Sequence, residues 1–274
     1  MRGWWAWTHR TRGSAILRPP VPGQVDDEDV ISDDDFGPIL DELLALYPAM
    51  TTLQLREGHR KAAHLAHGWY QRVRRSCEAI ISLERFGYGP EAAPIRRTII
   101  EHTVALKWLS EEGDGVLDVM ALEHAARAKR IKEATKAANW TSVDQGEIQA
   151  VIDEIDEESR DHTKADFKHF SKQNQDQSVL AAYLAEVGRA HATYQSAIDY
   201  MDVEQEVLRA ESRADTDNVK MAADFLLEAT VWFHSMFEDP AWVGTINALS
   251  ARSRAANDRV RARQGLPAVD WDSV

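Results

Sequence analysis

The chain has 274 residues, of which 44% are hydrophobic and 28% charged, with a formal net charge of −13. That length can bury a substantial core as one large domain or two small ones. The acidic excess works against general nucleic-acid binding, which draws its affinity from Lys and Arg on phosphates. No run approaches the ~20 apolar residues of a membrane span. The single cysteine, Cys77, rules out an intrachain disulfide. It fits a reducing cytoplasm, as a thiol buried inside a helix.

Residues 1–35 differ from the rest. Trp4, Trp5 and Trp7 lie among Arg2, Arg10, Arg12 and Arg18, followed by Pro19-Pro20-Val21-Pro22 and an acidic run. The apolar core and small-residue cleavage site of a secretory signal are missing, so a flexible arm is expected.

Helical periodicity takes over at Phe36. Asp34 or Asp35 is placed to cap a short helix carrying Ile39, Leu40, Leu43 and Leu44, stopped by Pro48. A long helical segment over about 52–86 follows, with Gly58 and Gly68 as points of division and Gly87 as its end. The helix over about 91–112 has an unusual pattern. At about 100° per residue, Ile95, Ile99, Leu106 and Leu109 fall on one side, and Ile100, Val104 and Trp108 on the opposite one. Arg96, Thr103, Lys107 and Ser110 form the narrow strip left for water. Such a helix is buried between neighbours. Arg97, Glu101 and His102 nevertheless sit within its apolar sectors, where charges need partners.

Further on, a helix over about 115–139 places Leu117, Met120, His124, Ala128 and Ile131 on one face. Another begins at Thr141 or Ser142, with an acid-rich solvated face. Lys164, Lys168 and Lys172 then recur every fourth residue beside His169. Leu180, Leu184, Val187, His191, Tyr194, Ile198 and Met201 repeat in steps of four and three, a helical seam with one histidine at its centre. Helices over about 215–237 and 240–264 complete the series. Arg252, Arg259 and Arg263 near the end of the last one complement its dipole. No segment has the alternation of a strand. The expectation is one all-α bundle of six to eight helices over residues 36–264, with a tail over 265–274.

Strong local signatures of catalysis are absent: there is no Gly-rich phosphate loop, Cys-x-x-Cys, Gly-x-Ser-x-Gly or His-Glu-x-x-His. None of the ten histidines has a glutamate three residues before it, so a di-iron bundle is not indicated. No metal or cofactor is expected. His102, His124 and His191 occupy inward positions on three different helices, together with Arg97 and Glu101. The group reads in two ways. One is a structural network in which Arg97 pairs with Glu101 one turn along and histidines satisfy the remaining acceptors. The other is a site where Arg97 stabilises an anion and His102 or His191 moves a proton. His124, Lys164, Lys168, Lys172 and His169 are secondary binding candidates.

Arg97-Thr98-Ile99-Ile100-Glu101-His102 resembles the Arg-x4–6-His motif of the HEPN superfamily, helical domains that include metal-independent ribonucleases. The resemblance implies that Arg97 stabilises charge on a cleaved phosphate and His102 transfers a proton, commonly at a dimer interface. On an ideal helix the two residues lie about 140° apart. The chain more closely resembles a group of uncharacterised bacterial, largely actinobacterial, helical proteins known only as domains of unknown function. The shared residues are Arg97, Glu101, His102, Trp108 and Leu109, with a later tyrosine-to-histidine stretch from Tyr183 to His191 and on to Tyr200. Two functions follow as expectations. The first is a cytosolic binding or regulatory module, a homodimer being one form, with a buried Arg-Glu-His cluster and an unspecified small-molecule or protein partner. The second is a HEPN-like ribonuclease of defence or toxin type, with RNA as its partner. Neither involves a membrane.

Overall fold

Apolar residues spaced three and four apart build eight α-helices among the described residues of the computed structural model. Those residues are 31–46, 54–140, 144–153, 177–192, 196–197, 200–202, 207–208, 217–238 and 242–271. The helices are α1 (Ile31–Leu46), α2 (Arg60–Arg85), α3 (Ala93–Glu112) and α4 (Val116–Ala137). They continue with α5 (Gln145–Asp153), α6 (Gln177–Ala190), α7 (Asn218–His234) and α8 (Val243–Arg263). The fold is an all-α bundle. Its only extended pairing among the described residues, apart from a single Leu55–Phe237 bridge, is an antiparallel ladder of Met201–Asp202 with Val207–Leu208. Two residues per strand are too few to leave an alternating pattern in the sequence. Most of the 1–35 arm lies outside the described residues, and the described residues from Ser32 onward form one compact unit.

Helix α3 is the centre of the bundle and packs against α2, α6 and α7. Ile99, Ile100, Leu106 and Leu109 are fully buried on it, and so are Arg96 and Thr103 from the strip expected to face water. Three neighbours close around the helix, and the flank of Arg97 and Glu101 is the more open one. Lys107 keeps its ammonium 5.5 Å from the Trp232 ring of α7, covering the strip at that level. Behind α3, Tyr70 of α2 stacks on Phe233 of α7 with ring centroids 4.7 Å apart and planes 8° from parallel. The Tyr70 hydroxyl meets Thr230 Oγ1 at 3.2 Å, so the one polar tip in this part of the core is satisfied. Cys77 is buried beside them. Its thiol is pushed far up by burial and then by Glu78, and it donates to the Ala222 carbonyl. That is an inert thiol.

Charge placement differs from the sequence expectation at both ends of the bundle. Helix α1 begins before Asp35, and that carboxylate receives Arg259 at 2.8 Å and Arg263 at 3.1 Å from α8. Arg252 of α8 likewise pairs with Glu42 at 2.7 Å. These arginines therefore fasten α8 to α1, and Arg263 also lies in the last turn of α8, where a positive charge answers the helix dipole. Residues 265–271, expected as a tail, fold back on α8. The indole N–H of Trp271 donates to Asp258 at 3.1 Å, and Arg254 lies over the Trp271 ring.

Gly68 passes through α2 without dividing it. Gly87, at φ +78°, ends it: its N–H reaches the Glu84 carbonyl while the Tyr88 N–H reaches Leu83. The start of α2 is capped from far away in the chain. Asp114 Oδ1 accepts the Lys61 and Ala62 N–H groups at 2.9 and 2.8 Å, and the Asp114 N–H donates to the Gly58 carbonyl at 2.7 Å. This crossing requires glycine at 113, whose φ is +61° and whose Cβ, if present, would lie 2.5 Å from the Gly58 oxygen. Gly113→Ala should therefore cost at least about 2 kcal/mol, from the forbidden φ and the lost cap together. Urea denaturation checks this, and an unchanged midpoint would show that the crossing is not needed.

Candidate functional site

Helix α6 approaches α3 along the flank where Arg96 and Arg97 are consecutive. One turn of α3 then presents two guanidiniums to it, about 100° apart. Arg97 donates from Nε to Glu101 Oε1 at 3.0 Å, the i to i+4 pairing within α3. Its Nη1 reaches Nε2 of His191, just past the end of α6, at 2.9 Å. A guanidinium can only donate, so His191 Nε2 is the acceptor and the ring's proton is on Nδ1. The Tyr183 ring of α6 lies 5.2 Å from the Arg97 guanidinium carbon, and its phenol hydrogen-bonds with both Glu101 and Arg97.

The charges in this group act on one another. Burial pulls the Arg97 guanidinium down, but the hydrogen bond and charge of Glu101 outweigh it, and the net direction is upward. The Tyr183 phenol is held above its ordinary value, by burial first and then by the charge of Glu101, with Arg97 opposing. The group thus joins a guanidinium held more firmly charged to a phenol held un-ionised, with an imidazole nitrogen accepting from the guanidinium.

The cluster is half-buried, not enclosed. The Arg97 and Glu101 side chains are 30% and 33% exposed, and His191 is exposed. His102 does not join it. It points to the other flank of α3, where its ring meets the edge of Trp69 at 6.2 Å. Its Nδ1 donates to the Thr98 carbonyl at 2.8 Å. Burial lowers its pKa, the Thr98 contact and Glu101 oppose, and Arg72 lowers it further, so the imidazole is neutral. The helical rotation between positions 97 and 102 separates the two side chains, and no distortion of α3 brings them back.

His124, expected to face inward, is exposed on α4. There it lines a separate groove of about 270 Å³ with Arg127, Ile131 and Ile148. The buried face of α4 is carried instead by Val116, Leu122, Ala125 and Ala128. A larger open cleft of about 690 Å³ lies at the Leu55–Phe237 bridge, lined by Arg56, Glu57 and Glu238 among others. Lys164, Lys168, Lys172 and His169 fall outside the described residues.

The fully buried arginine is Arg96, not Arg97. It is 2% exposed, and its Nε meets Glu186 Oε2 of α6 at 2.9 Å. Its Nη1 donates to the Gly89 carbonyl at 2.8 Å and to Asn218 Oδ1 at 2.9 Å. Asn218, at the start of α7, also donates to Glu84 near the end of α2. Helices α3, α6 and α7 and the 87–92 turn thus meet on one guanidinium, and α2 is tied in through Asn218. The available signal was Tyr183-x-x-Glu186, which puts a phenol and a carboxylate on one face of α6. The seam through Leu184 points elsewhere, and Leu184 is 57% exposed.

The profile of a protein family of unknown function, DUF5677, matches residues 63–207, more than half of the chain. The chain belongs to the DUF5677 family. The matched stretch runs from α2 through α6 to the two-stranded ladder, so it contains Arg96, Arg97, Glu101, Tyr183, Glu186 and His191. Helices α7 and α8, which supply Asn218 and the Phe233 side of the core, lie beyond the DUF5677 match. No curated protein matches the chain. No solved structure matches it.

Proposed function

We propose that this DUF5677 protein is a binding module that receives the anionic group of a ligand on Arg97, where α6 meets α3. The observation that carries this reading is the setting of Arg97. Its side chain is 30% exposed and spends an N–H on the imidazole acceptor of His191 at 2.9 Å. A phosphate or carboxylate oxygen is a stronger acceptor than an imidazole and can replace it. Tyr183 and His191 would then donate to the same group, while Glu101 keeps Arg97 oriented. The net charge of −13 favours a small ligand over a long polyanion. Calorimetric titration with pyrophosphate and with malonate tests this reading. Arg97→Ala should abolish the binding while changing stability by about 1 kcal/mol or less, as for exposed ion pairs. Binding unchanged in that variant would overturn it.

A second reading is favoured by the contact between Arg97 and an imidazole, the pairing of groups that metal-independent RNA cleavage uses. In a HEPN-like ribonuclease of this kind Arg97 would stabilise the phosphate, and His191, rather than His102, would stand close enough to move the proton. RNA cleaved in the presence of a chelator by the wild type but not by Arg97→Ala supports it. Cleavage that survives the substitution ends it. A cytosolic setting accords with the single buried thiol of Cys77. A homodimer is compatible with either reading, and sedimentation of the purified chain tests it.

A further inference from the structure

Among the described residues of α6, the only buried one is Glu186. Val179, Leu180, Tyr183 and Val187 are half-covered, and Leu184 is exposed. The helix packs chiefly against α3. Helices in globular proteins are ordinarily held by an apolar face turned to the core. Here Val179 alone of the helix's apolar residues is packed against the core among the described residues, and the other fastenings are polar: Glu186 on Arg96, and Tyr183 and His191 on Arg97. Arg189, in the last turn of α6, lies 3.8 Å from the second oxygen of Glu186.

Arg96 supplies a second, independent observation. Its Nη2 is buried and has no hydrogen-bond partner, although the guanidinium as a whole is 2% exposed. Guanidinium and carboxylate form their strongest contact as a two-pronged fork, and Glu186 makes only one prong, through Nε. A buried guanidinium with a free N–H is a recognition surface only partly used by the carboxylate on it.

We propose that α6 is a displaceable strap over an oxyanion site formed by Arg96 and Arg97, with Glu186 standing in for the anionic group of the ligand. The inference rests on the reading of Arg97 given above and extends it to regulation. At rest the Glu186 carboxylate neutralises Arg96 and keeps α6 docked. A ligand oxyanion that reaches Arg97 competes with Glu186 for Arg96, engages the unused Nη2, and frees α6 from its seat on α3. The ligand's apparent affinity is reduced by the fraction of molecules in which the strap is closed.

Full-length protein serves for the test, with pyrophosphate as the phosphate probe and malonate as the carboxylate probe. Calorimetry on Glu186→Gln, which keeps an amide oxygen for Arg96 but removes the charge, should show about tenfold tighter binding than wild type. Hydrogen exchange over 177–190 in the wild type should rise when the probe is added, a readout that needs no variant to fold. Tightening for one probe and not the other identifies the ligand class. If the wild type binds a probe through Arg97 but Glu186→Gln binds it equally and exchange in α6 falls, the strap is refuted and the ligand site stands. If neither protein binds either probe, both readings fall.

Discussion

Arg96→Ala is expected to destabilise the protein by about 3–5 kcal/mol, the loss seen when one partner of a buried ion pair is removed. The substitution leaves the Glu186 carboxylate with a distant Arg189 and takes the donor from Gly89 and Asn218, all in positions water cannot easily reach. At about 3 °C per kcal/mol for a chain of this size, the melting temperature should fall by roughly 10 °C. Arg97→Ala, one residue along, should lower it far less, because its pair with Glu101 is a third exposed and screened. A double variant, Arg96→Met with Glu186→Leu, should recover most of the loss, since the desolvation cost of both charges disappears with them. Equal melting temperatures for Arg96→Ala and Arg97→Ala would show that the junction on Arg96 does not fasten the bundle.

Phe233→Ala should be comparably damaging, by about 3–5 kcal/mol. Phe233 is fully packed between the stacked face of Tyr70 and the edge of Phe237, whose centroid is 5.1 Å away. Removing the ring opens a cavity that cannot collapse without moving α7 against α2, and it forfeits the aromatic contacts as well. Phe233→Leu keeps most of the volume and should cost less than half as much. Urea denaturation measures both. A loss under about 1 kcal/mol for the alanine variant would mean that Tyr70 swings into the space, contrary to its hydrogen bond with Thr230.

The two effects arise from opposite kinds of residue, and they were unequally visible in the sequence. Phe233 belongs to the apolar series Val219, Ala222, Leu226, Phe233, which any helical reading turns inward. Arg96 was assigned to the water-facing strip because its neighbours on that strip, Thr103 and Lys107, are polar as well. Periodicity assigns a face by the residues on it, so a face buried through ion pairing reads as an exposed one. Glu186 was missed for the complementary reason. The apolar seam through Leu184 and His191 suggested which side of α6 faces the bundle, and the structure rotates that side by about one residue to bring Tyr183 and Glu186 to α3.

His191 and Arg97 illustrate both sides of this. Their membership of inward-turned sets on two helices was readable in the sequence, and the structure places them 2.9 Å apart. That His102 turns away to Trp69 followed from the 140° between positions 97 and 102, once α3 was known to be a regular helix. The openness of the cluster depends on what covers it, which no single helix specifies.

By itself the sequence determined the all-α class, the order of the helices, their main stops at Gly87 and Gly113, and the apolar core positions of α1, α3 and α7. Those properties depend on residues near one another along the chain, through helical spacing and the conformational freedom of glycine. Tertiary structure alone decided which arginine is buried, that Asp114 caps α2 from 52 residues away, and that α6 is held by charge. Each of these depends on how helices remote in sequence are rotated against one another, and that rotation minimises buried, unpaired charge across the whole bundle.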